Sequence, residues 1–91
     1  MKKKLRDFIF QELVFVAKPE QFTDQDNLLE AGLESMGIMR LIMYIENEWG
    51  ITLPDNEIEP DNVQSIAALV QWIERHQNAW NLSTPRISLK F

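Results

Sequence analysis

Between Ser35 and Gly50 the apolar residues Ile38, Leu41, Ile42, Ile45 and Trp49 fall at the steps i, i+3, i+4, i+7 and i+11. That period lays all five on one face of an α-helix and excludes a strand, whose faces alternate every second residue. Ser35 takes the N-cap position, where its hydroxyl would accept a hydrogen bond from the next turn, and Gly50 is the matching stop. An apolar face must be buried against partners, and the chain supplies two more helices. Leu5, Phe8, Ile9, Leu13 and Val16 predict a helix over residues 4–16, with Glu12 near the centre of its face and Phe10 and Val14 on the opposite side. Ile66, Leu69, Val70 and Ile73 predict a last helix capped by Ser65 and ending near Gln77, with Trp72 at the edge of its stripe. Between these two a polar stretch holds at most one helical turn around Asn56 to Glu59, broken by Pro60. The expected fold is all-α, a small bundle of three main helices plus one short helix.

Ninety-one residues close only one core. Residues 1–79 are read as the domain and 80–91 as a tail, whose Trp80, Leu82, Pro85, Ile87, Leu89 and Phe91 are too apolar for a disordered end. The back of the first helix, at Phe10 and Val14, is its expected dock. The stretch from Lys18 to Glu34 reads as a long ordered loop pinned by Phe22, Leu28, Leu29 and Leu33, and loops of that length usually serve a function. The absence of cysteine removes disulfides, thiolate metal sites and a cysteine nucleophile, so any thiol chemistry must be imported. A formal charge of −5 argues against nucleic acid and favours basic protein surfaces as partners. No signal peptide or membrane span follows Lys2, Lys3 and Lys4, and a cytoplasmic monomer is expected.

A serine at a helix mouth is displayed on a rigid element where another protein's active site can reach it. It has no base beside it, since the single His76 lies far away in the chain, so self-activation is not expected. Around it the order is Asp26-Asn27-Leu28-Leu29-Glu30-Ala31-Gly32-Leu33-Glu34-Ser35, then a helix closing on Glu46-Asn47-Glu48-Trp49-Gly50-Ile51, then Leu53-Pro54-Asp55, then Asn62-Val63-Gln64-Ser65-Ile66. From residue 4 to about 77 this resembles the acyl carrier and peptidyl carrier proteins. The resemblance implies that Ser35 receives 4'-phosphopantetheine from coenzyme A by way of a phosphopantetheinyl transferase, and that the arm's thiol then holds an acyl or aminoacyl group as a thioester. Two positions depart from the family's pattern. The usual aspartate before the serine is Glu34 and the usual leucine after it is Met36, so a generic transferase is expected to act more slowly or to be replaced by a dedicated one.

Met36, Met39 and Met43 form a second stripe on the same helix, flanked by Arg40 and Asn47. Such a stripe is either a second core face under the long loop or a docking surface, for which methionine's adaptable side chain suits successive partners. Carriers of this family meet their enzymes along this helix, which favours docking. Leu53, Val63 and Trp72 are candidates for a groove that shelters a tethered acyl group.

The reading is a stand-alone, non-catalytic carrier in a specialised pathway of polyketide or nonribosomal-peptide type. It would be loaded by an adenylating enzyme or acyltransferase and drained by a downstream synthase or tailoring enzymes. Its alternatives are a housekeeping fatty-acid carrier, for which a more acidic second helix is expected, and an unmodified helical interaction module. His76 reads as a surface residue near a helix end, and no metal site is expected. Asp24, Asp26 and Asn27 imitate part of a calcium loop without its glycine and closing glutamate. Tyr44 reads as a surface residue.

Overall fold

In the computed structural model the chain is described over residues 1–83, with side chains through Gln77. All regular structure among the described residues is helical: α1 (Lys2–Phe8), α2 (Ser35–Trp49), α3 (Pro60–Val63) and α4 (Ile66–Ser83), with 3₁₀ turns at Pro19–Gln21 and Asp55–Glu57. The expected all-α bundle of three main helices and one short one is the fold observed.

The first helical run differs in its ending. α1 passes without a break into a wide π-turn over Ile9–Leu13, and Val14 is already extended at φ −132°, ψ 130°. The Val14 N–H closes the turn on the Ile9 carbonyl at 2.9 Å. Helix was expected through Val16, but Val14-Phe15-Val16 joins β-branched and aromatic residues that lose rotamer freedom in a helix. The wide turn carries Val14 into the core, so it is not part of an uncovered back face.

Phe10 is covered too, by Phe22 of the loop, whose ring meets it edge-on at 5.1 Å, and by the Arg6 guanidinium 5.3 Å from its centroid. Arg6 donates to the Pro19 carbonyl at 2.6 Å and to Asp24 at 3.5 Å, which ties the loop to α1. The expected dock of the tail on Phe10 and Val14 involves residues that lie outside the described ones. The last helix also runs on through Ser83, past the expected end near Gln77. Residues 84–91 of the expected tail lie outside the described residues.

The long loop is stitched to the far side of the bundle. Leu28 N–H donates to the Gln64 carbonyl at 2.7 Å, and Ala67 N–H donates to the Asp24 carbonyl at 2.9 Å. Leu28 and Leu33 enter the core beside Leu5, Ile9, Leu41, Ile42, Ile45, Leu53, Val63, Ile66, Leu69 and Ile73. Trp72, expected at an edge, is fully buried among them. Tyr44, expected on the surface, stacks on Phe8 at 4.1 Å and meets Trp49 edge-on at 6.1 Å. Pro60 opens α3 and does not break a helix, because proline's missing N–H is one the first turn leaves unpaired anyway.

Candidate functional site

Ser35 is the first residue of α2, and the N-cap is Glu34, in extended backbone at φ −118°, ψ 179°. This corrects the expected cap at Ser35 by one position. The first intrahelical bond runs from Ile38 N–H to the Glu34 carbonyl at 2.8 Å, and no side chain caps the helix. The Ser35 hydroxyl is exposed and is held by no hydrogen bond among the described residues. Ser65 makes the contrast: it is buried, and its hydroxyl accepts from Ala68 N–H at 3.0 Å, as a cap should. One serine is spent on the fold, and the other makes no such bond.

The mount below Ser35 is rigid. Asn27 Oδ1 accepts from Glu30 N–H at 3.0 Å, Leu33 N–H donates to the Leu28 carbonyl at 3.0 Å, and Gly32 turns the chain at φ 118°, a conformation that favours glycine. Leu33 is then plugged into the core two residues before the serine. The open amides of the first turn of α2, with the helix's positive end, suit the negative charge of a phosphodiester on Ser35. The residues present therefore fit a covalent phosphodiester on an exposed hydroxyl, with Glu34 and Met36 exposed on either side of Ser35.

Met36, Met39 and Met43 are 77%, 48% and 67% exposed, so the stripe does not form a second core face. Arg40 donates to the Glu12 carboxylate at 3.3 Å and to its carbonyl at 3.4 Å, which consumes its charge within the chain. Asn47 lies farther along, in an open groove of about 770 Å³ that it shares with Phe8, Arg40, Met43, Tyr44, Glu46, Ile51 and Thr52.

Leu53, Val63 and Trp72 are buried in the core. Trp72 Nε1–H donates to Glu57 Oε1 at 2.8 Å, and His76 Nε2 lies 2.7 Å from the same oxygen. The indole bond, then the imidazole, holds the Glu57 carboxyl below the ordinary carboxylate range. Asn62 adds a bond from its Nδ2 to the Glu57 carbonyl at 2.7 Å and accepts from Arg75 at 2.9 Å. His76 is thus part of a clamp between α4 and the 55–62 stretch, where the sequence suggested a free surface residue. The i, i+4 spacing of Trp72 and His76 was the available signal. Asp26 is spent on the Thr23 N–H at 2.8 Å and Asp24 on Lys2 and Arg6, and no metal-holding cluster occurs among the described residues.

Phe15 was not singled out from the sequence, yet it is 98% exposed. Among the described residues no helix is long and apolar enough to cross a membrane.

A family model described as "Phosphopantetheine attachment site" matches residues 9–73. The chain is 37% identical over 51 residues to aminoacyl carrier protein 1 of Bradyrhizobium diazoefficiens, a match that covers 56% of this chain and 57% of that relative. It thus spans little more than half the length of that relative. It is 32% identical over 74 residues to the acyl carrier protein of Clostridium acetobutylicum, covering 81% of this chain and 92% of the relative. Among solved structures, it superposes with a TM-score of 0.61 and 30% identity on a chain from the complex of Bradyrhizobium japonicum glycine:[carrier protein] ligase with glycylated carrier protein, covering 78% of this chain and 90% of that one.

Proposed function

The chain belongs to the phosphopantetheine attachment-site family, and from that premise we propose that it is an aminoacyl carrier that holds its cargo through Ser35 and is loaded by an adenylating ligase. Carriers of this family bear covalent 4'-phosphopantetheine, which supplies a terminal thiol that this cysteine-free chain lacks. The observation that carries the assignment to Ser35 is its exposed hydroxyl at the head of α2, free of the capping bond that occupies Ser65. Ser35 presents the atom, the open amides of the first turn favour the added charge, and Leu33 and Gly32 keep the mount still.

Glu34 and Met36 flank the attachment point and meet the transferase first. Met39, Met43, Arg40 and Asn47 continue the surface on which successive enzymes dock. Leu53, Val63 and Trp72 form packed core, which favours a small cargo displayed outside the bundle. The aminoacyl likeness and the glycylated neighbour support an amino acid over a polyketide intermediate. The chain itself is read as non-catalytic: its serine has no base among its hydrogen-bond partners.

Intact-protein mass spectrometry after incubation with coenzyme A and a phosphopantetheinyl transferase tests the core of this reading, with Ser35→Ala beside it. One added phosphopantetheine on the wild type and none on the variant is the expected result. No addition across a panel of transferases would replace this reading with an unmodified interaction module.

A further inference from the structure

Phe15 has by far the highest exposure among the large apolar side chains of the described surface. The backbone forces this exposure. The π-turn ends in an extended Val14 that is buried, and in extended backbone successive side chains point to opposite sides, so seating Val14 turns Phe15 outward. The larger side chain is in water and the smaller in the core, the reverse of what burial alone would select.

The place where Phe15 emerges is fastened to α2 at two points. Leu13 Cδ2 lies 3.9 Å from where a side chain on Gly37 would begin, an ordinary packing distance, so the end of the π-turn rests against the first turn of α2, while the missing side chain at Gly37 makes room for Leu33, whose Cδ1 lies only 3.1 Å from the same point. Glu12 then binds Arg40, one turn further along. Phe15 follows Leu13 by an extended span of about 7 Å, and Gly37 follows Ser35 by half a helical turn. A protein acting at Ser35 covers about 800 Å² of the carrier, a disc of about 16 Å radius, which takes in this segment.

We propose that Phe15 is an anchor for the adenylating ligase that charges the carrier, extending the methionine face of α2 onto the first loop. The inference rests on the aminoacyl reading above. The ligase is the occupant because the solved neighbour holds a glycylated carrier against such an enzyme. The charges of the face indicate what the ligase presents. Arg40 and Glu12 pair with each other at the surface, while exposed Glu30 and Glu34 form no ion pair among the described residues. The complement is an apolar hollow with a cationic rim, and a buried aromatic in such a hollow is the usual form of a binding hot spot.

The test uses full-length holo protein, glycine, ATP and the Bradyrhizobium japonicum ligase, with Phe15→Ala and Phe15→Leu beside the wild type. The Ala variant should melt with the wild type and accept phosphopantetheine normally. Its KM in aminoacylation should rise about tenfold with kcat little changed, as for an interface anchor, and Leu should restore most of the loss. Equal KM for wild type and Phe15→Ala overturns the anchor and leaves the aminoacyl reading in place. Holo wild type that accepts no amino acid from this or any of a panel of adenylating ligases overturns that reading and this inference with it.

Discussion

Ser35 and Ser65 both stand at the head of a helix, and their hydroxyls do different work. Ser65→Ala removes a buried cap and should cost about 1 kcal/mol, whereas Ser35→Ala removes no cap bond and should leave urea denaturation within about 0.5 kcal/mol of the wild type. Equal losses at the two positions would show that Ser35 also serves the fold. α2 carries a similar pair. Leu41 is fully buried, so Leu41→Ala should cost about 2–5 kcal/mol. Met39 is half in water, so Met39→Glu should shift stability by less than about 1 kcal/mol while slowing aminoacylation of the holo protein. Melting curves and charging kinetics on the same two variants separate core from docking face.

The stretch from Asp55 to Val63 contains only a 3₁₀ turn and one short helix, too little to hold its shape alone. It is kept against α4 by Glu57, which takes Trp72 and His76 on one oxygen, and by Asn62 on Arg75. Because those donors favour the ionised carboxylate, the Glu57 contribution is complete above the ordinary value of 4.5 and is lost as pH falls through its lowered folded value. Amide exchange should accordingly show protection over residues 55–63 falling at acid pH before that of α2. In Glu57→Gln this acid loss should be absent, and its persistence would assign the effect to other carboxylates. At the other end of the scale Lys4, raised by its bond to Glu48, ties α1 to α2 below its folded value and releases it only in strong alkali.

For the molecule as a whole, every buried apolar side chain among the described residues lies between Leu5 and Ile73. Truncation after Ser83 should leave this core folded, with the amide protection of α2 retained, and a large drop in melting temperature would assign a structural role to residues 84–91. Much of this architecture was legible before any coordinates. The periodicity of α2 and α4, the stop at Gly50, the cap at Ser65, the loop anchors Leu28 and Leu33 and the exposed serine all follow from local rules, because helical period, caps and chain breakers act over a few neighbouring residues. The register of the π-turn, the inward Val14 and outward Phe15, the burial of Trp72 and the sharing of one Glu57 oxygen by two side chains of α4 were decided only when distant segments met. Those outcomes depend on which of several apolar residues best fills a space bounded by other helices, and the length of the space is set by all of them together. Sequence thus determined that the chain is a helical carrier with its serine at the head of a helix, whereas the fold decided what surrounds that serine, because close packing is a property of the assembled core and of no single stretch.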